Sequence, residues 1–159
     1  MSYDFNADDI LQMAELIEKN GAKFYRASAE KVDDPSAKAL LLNLAAMEDE
    51  HEKTFSILRA DLSAKEKEST VFDPNGEAAL YLKALADMRV FFEKQIESEA
   101  MEDILKEAIT AEKDSIVFYL GMKDLVPASM GKNRINAIIK EEMSHIKLLS
   151  KELVALKKS

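Results

Sequence analysis

Residues 41–62 read LLNLAAMEDEHEKTFSILRADL. Steps of three and four along this segment pick out Leu41, Leu44, Glu48, His51, Phe55, Leu58 and Leu62. Residues so spaced lie above one another on one face of an α-helix. The face is apolar at both ends and carries a carboxylate and an imidazole at its centre. A face this apolar is expected to turn inward, which places Glu48 and His51 in a core.

The same face recurs 94 residues later as Ile135, Ile138, Glu142, His145 and Leu149. That offset also carries Glu18 to Glu112 and Tyr25 to Tyr119. Each half therefore reads Glu-x6-Tyr-x22-Glu-x2-His, and both His and two of the four Tyr of the chain fall inside the pattern. Glu matches alone would be weak in so acidic a chain, but the joint match of Tyr and His marks an internal repeat. Supporting positions agree: Leu11 and Ala14 correspond to Leu105 and Ala108. The single-Glu faces are Leu11, Ala14, Glu18, Gly21, Tyr25 and Leu105, Ala108, Glu112, Ser115, Tyr119, Met122.

Composition points to helices. The 159 residues suit a single domain, 1–159. Four Gly and three Pro are too few for a turn-rich β protein or a glycine-rich phosphate loop. The absence of Cys excludes a disulfide framework, a thiolate zinc site, an iron–sulfur cluster and a cysteine nucleophile. Thirty acidic against 22 basic residues give a net charge of −8, which argues against nucleic acid or an anionic membrane as partner. No stretch approaches the roughly 20 apolar residues of a membrane helix. Met1-Ser2-Tyr3-Asp4-Phe5 has neither a basic flank nor an apolar signal core, so a cytoplasmic location is expected.

Four long helices are predicted. Asn6 caps the first, which runs to about Val32, and Asp33-Asp34-Pro35-Ser36 separates it from the second, ending near Leu62. Residues 63–73 read as a polar connection, Pro74-Asn75-Gly76 as a turn and Glu77–Arg89 as a short helix, with Leu80, Leu82, Leu85 and Met88 available for packing. The third long helix spans about Glu99–Leu125 and the fourth about Asn133–Leu156, with a break at Val126–Gly131. Short breaks imply antiparallel neighbours, and the long crossover suits parallel second and third helices. The predicted architecture is an all-α four-helix bundle with a long crossover that contains a short extra helix.

Four carboxylates facing an apolar core need protonation, ion pairing or metal to compensate them. No Lys or Arg shares these faces near the four Glu, so metal is the strongest reading. A lone His on an apolar face is usually a satisfied core residue. Two, each three residues after a Glu and related by a repeat of the whole chain, reverse that expectation. Two Glu-x-x-His pairs and two single Glu match a dinuclear carboxylate site in a helical bundle. Count and pseudo-symmetry assign Glu48 and Glu142 as bridges, Glu18 and Glu112 as terminal ligands, and His51 and His145 to one metal each. Oxygen and nitrogen ligands suit iron or manganese, or a mixed pair. Glu141 is also one turn from His145, but the repeat selects Glu142, because the counterpart of Glu141 is Met47. Tyr25 and Tyr119 lie about 10 Å along their helices from Glu18 and Glu112. They are therefore expected to hydrogen-bond ligand carboxylates of a neighbouring helix. The eight Met read as core filling and Asp49, Glu50, Glu52 and Glu99 as surface acids.

At these residues the chain resembles the ferritin-like superfamily, and within it the rubrerythrin-type diiron proteins, over nearly its whole length. The resemblance implies a diiron four-helix bundle that reacts with hydrogen peroxide or dioxygen. The expected activity is that of a non-haem diiron oxidoreductase reducing peroxide. Two alternatives are a ferritin-like ferroxidase or iron-handling protein, and a metal-stabilised binding module. Rubrerythrins typically carry a further ligand Glu three residues after the third-helix Glu; here that position is Ser115. They also carry a Cys-ligated rubredoxin domain. This chain has no Cys, so a separate donor, such as a rubredoxin-like protein, is expected to supply electrons. The crossover is longer than usual. Bacterioferritin is similar in ligand set, but its haem Met follows the second-helix Glu; Asp49 stands here, so no haem is expected. The long crossover makes a homodimer the expected assembly.

Overall fold

The computed structural model describes residues 7–62, Leu80, 100–123 and 131–158. Four helices account for nearly all of them: α1 (Ala7–Lys31), α2 (Pro35–Ala60), α3 (Met101–Lys123) and α4 (Lys132–Lys158). No strand occurs among the described residues. The expected cap Asn6, residues 63–79, the short helix Glu77–Arg89 apart from Leu80, and the break at 126–130 lie outside them. Leu80, read from the sequence as available for packing, is exposed.

Local chemistry sets the helix ends. Asp34 has extended backbone and its carboxylate accepts the Ala37 N–H at 2.9 Å, while Pro35 opens α2, where its missing N–H costs nothing. Asp8 and Asp9 in the first turn of α1, and Lys157 and Lys158 in the last turn of α4, complement the helix dipoles. Gly131 precedes α4 with φ of 97°, and its carbonyl accepts from Arg134 and Ile135. A side chain there would be strained, and its Cβ would lie 2.8 Å from a Leu58 methyl.

Cross-helix contacts fix the directions. Arg59 near the end of α2 reaches Asp8 and Glu15 at 2.9 and 3.0 Å, so α1 and α2 are antiparallel. Tyr25 of α1 meets Glu112 of α3 while Tyr119 of α3 meets Glu18 of α1, so this pair is antiparallel too. It follows that α2 and α3 run parallel.

The four faces read from the sequence turn inward. Leu41, Leu44, Glu48, His51, Phe55 and Leu58 of α2 are all buried, as are Ile135, Ile138, Glu142, His145 and Leu149 of α4. The apolar interior divides in two. One cluster packs Ile10, Leu11, Phe55, Leu58, Met122 and Ile135; the other packs Phe24, Leu41, Leu44, Ile104, Leu105 and Leu149. Each fully buried Leu, Ile or Phe contributes about 1.5–3 kcal/mol through removal from water. The buried Glu and His residues, Glu18, Glu48, His51, Glu112, Glu142 and His145, lie between these clusters along the helices. No helix among the described residues is long and apolar enough to cross a membrane.

Candidate metal centre

Each helix delivers one turn of polar side chains to the same level of the bundle. Helix α1 supplies Glu18, α2 supplies Glu48 and His51, α3 supplies Glu112, and α4 supplies Glu142 and His145; every one is at least 96% buried. Glu and His three residues apart share a helix face, so the two Glu-x-x-His pairs each present both groups inward.

The six residues form two overlapping quartets. Glu18, Glu48, His51 and Glu142 form one, and Glu48, Glu112, Glu142 and His145 the other, each with ligand atoms within 4.8 Å of one another. Glu48 and Glu142 belong to both. Their oxygens divide between the two positions. Glu48 Oε2 lies 3.9 Å and Glu142 Oε1 2.7 Å from His51 Nδ1. Glu48 Oε1 lies 3.3 Å and Glu142 Oε2 3.7 Å from His145 Nδ1. Glu18 Oε2 is 3.5 Å from His51 Nδ1, and Glu112 Oε1 is 3.3 Å from His145 Nδ1. The imidazoles stack with centroids 5.8 Å apart.

Hydrogen bonds brace the Glu18 and Glu112 carboxylates from across the bundle. Tyr25 Oη donates to Glu112 Oε1 and Tyr119 Oη to Glu18 Oε1, both at 2.5 Å. Each tyrosine thus serves the Glu of the opposite repeat. Ser115, three residues after Glu112, donates to the Ala111 carbonyl at 2.9 Å, as helical Ser commonly does. Gly21, its counterpart, leaves open backbone beside Glu48; a Cβ there would meet the carboxylate at an ordinary 3.6 Å.

The electrostatics are those of too many acids in one place. Burial, then the charges of Glu48 and Glu142, raise Glu18 well above the usual carboxylate range. Burial and the same two charges raise Glu112. Burial also acts to raise Glu48 and Glu142, but contacts with the histidines and a neighbouring Glu outweigh it and hold both low. Burial disfavours charge on the imidazoles, yet the surrounding carboxylates win: His51 is raised, and His145 is pushed up to about 12. Burial and the carboxylates push Tyr25 and Tyr119 well above 10, so both hydroxyls keep their protons.

The residues fit a pair of cations. Five buried side-chain atoms make no hydrogen bond: Glu18 Oε2, Glu48 Oε1, His51 Nδ1, Glu142 Oε1 and His145 Nε2. All but the last face the shared centre. Glu142 Oε1 and His51 Nδ1 are 2.7 Å apart without hydrogen-bond geometry, as expected of two ligands flanking a common point. Leaving such atoms unsatisfied costs about 1–3 kcal/mol each. Four carboxylates also balance the charge of two divalent ions. The arrangement is compatible with a binuclear metal site of oxygen and nitrogen ligands.

One contributor was not expected. Glu141 hydrogen-bonds to His51 Nε2, the ring nitrogen turned away from the cluster. Its signal in the sequence is its place directly before Glu142, where the comparison with Met47 served only to reject it as a ligand.

Overlapping quartets that share two carboxylates, inside four helices, define the class: a helical bundle built around a buried carboxylate–histidine cluster. The chain belongs to the rubrerythrin family, whose model matches residues 9–102. Glu112, Glu142 and His145 lie beyond that match and are reached through the repeat and the fold. A solved structure from Thermotoga maritima, described as a ferritin-like diiron-carboxylate protein, is similar with a TM-score of 0.69 and 24% identity. The similarity covers 94% of this chain and 95% of that one, and shows a ferritin-like fold. Comparison with curated proteins gives no match.

Proposed function

We propose that the chain, as one domain over 1–159, is a non-haem diiron oxidoreductase that reduces hydrogen peroxide, or dioxygen, with electrons from a separate donor protein. The observation that carries this reading is the division of the Glu48 and Glu142 oxygens between two positions, each completed by one His and one further Glu. Glu48 and Glu142 would bridge two irons, with Glu18 and His51 on one and Glu112 and His145 on the other. Family membership and the chemistry of the ligand set support iron, with manganese or a mixed pair as competitors. When bound, a ferrous pair supplies the two electrons that cleave the O–O bond of peroxide, which with two protons gives two molecules of water.

The chain's own residues supply the setting. Tyr25 and Tyr119 fix the terminal carboxylates and hold their hydroxyl protons at the cluster. The two apolar clusters flank the site and exclude bulk water, which strengthens every charge interaction within it. In this reading a separate donor protein, such as a rubredoxin-like protein, supplies the electrons. The test is peroxide titration of anaerobic ferrous protein. One peroxide oxidises one iron pair, and added reductant restores turnover. Mineralisation of many irons per chain favours the ferroxidase reading instead, and tight zinc without redox response favours a structural role.

A further inference from the structure

The two halves of the cluster are unequal in one respect. His51 turns Nδ1 to the carboxylates and is held at Nε2 by Glu141. His145 also turns Nδ1 to the carboxylates, but its Nε2 is buried with no hydrogen-bond partner among the described residues. The repeat explains the difference. Glu141 stands to His51 as residue 47 stands to His145, and residue 47 is Met.

A carboxylate on the outer nitrogen of a metal-binding imidazole fixes its tautomer, orients the ring and raises its basicity. Tautomer matters here, because Nδ1 can offer a lone pair only if the ring proton sits on Nε2. Glu141 stabilises that tautomer of His51. A thioether is at most a weak acceptor, so Met47 gives His145 no equivalent support.

We propose that Glu141 makes the two metal positions inequivalent: the His51 position binds first and more tightly, and the His145 position is weaker and exchangeable. The inference rests on the binuclear reading above. It makes Glu141 a positioning residue that contacts neither metal. Loss of such partners typically weakens metal binding about 10–100-fold, and that range sets the expected separation between the two steps. An exchangeable second position would let the protein pass through a one-metal form and accept a different second ion.

The test is anaerobic titration of metal-free full-length protein with Co(II) against a chromophoric chelator. Wild type is expected to bind two ions in two steps, separated about 10–100-fold. Glu141→Gln keeps the shape but not the charge, and its side chain is half exposed, so the fold tolerates it. It is expected to weaken the first step and merge the two. Met47→Glu, also at a partly exposed position, is expected to tighten the second step. Two equal steps in wild type, or a Glu141→Gln variant with an unchanged first step, overturn the proposal while leaving two ions per chain intact. Wild type that takes up fewer than two ions overturns the binuclear reading itself.

Discussion

Tyr25 and Glu112 are 87 residues apart in sequence and 2.5 Å apart in the bundle, and Tyr119 and Glu18 mirror them. The repeat is therefore closed on itself: the tyrosine of each half of the chain hydrogen-bonds the single Glu of the other half. Tyr25→Phe keeps the ring and removes the donor to Glu112. We expect about 10–100-fold weaker binding of one of the two metal ions, with the other little changed. Chelator competition on the purified variant reads this directly; two unchanged affinities would place the tyrosine in packing alone.

The cluster also sets the pH response of the metal-free chain. Glu18, Glu112, His51 and His145 are all raised in the folded state, His145 to about 12, against ordinary values of 4.5 and 6.5. The folded chain then binds more protons than the unfolded chain above the ordinary carboxylate range. Stability is fully present below those ordinary values and is lost as pH rises toward the folded ones. Glu48 and Glu142, held low, act oppositely and only in acid. Thermal unfolding of chelator-treated protein should show Tm falling from about pH 5 to about pH 9. A rising Tm over that window contradicts the assignment. Metal loading should release protons and remove the trend, because the cations take the protons' place.

Two glycines separate backbone from packing. Gly21 is helical and a Cβ there meets Glu48 only at ordinary contact distance, so Gly21→Ala should stabilise the fold by about 0.5–1 kcal/mol. Gly131 has positive φ and faces Leu58 at 2.8 Å, so Gly131→Ala should destabilise by about 1–3 kcal/mol. Denaturant unfolding of both variants tests the pair; equal effects would remove the distinction.

Much of this was legible in the sequence, for physical reasons. The helical period of the apolar residues fixes which face is inward, and a Glu or His on that face cannot be bland surface. Among the described residues, the end of α1, both ends of α2 and the starts of α3 and α4 lie within about two residues of their expected bounds. The repeat then placed the cluster's members in register without any structure. Glu141 was not legible as a partner of His51, because its side chain reaches across from another helix and only half of it is buried. Nor was the Arg59 bridge to Asp8 and Glu15, which depends on where the chain ends of α1 and α2 meet.

The measurement closest to the central claim is metal content after anaerobic loading with ferrous iron. Wild type should hold two irons per chain. Glu48→Gln with Glu142→Gln removes the charge of both shared carboxylates while keeping their volume, and should abolish the pair. Retention of two irons by that double variant would show that the metals bind elsewhere and would contradict the account.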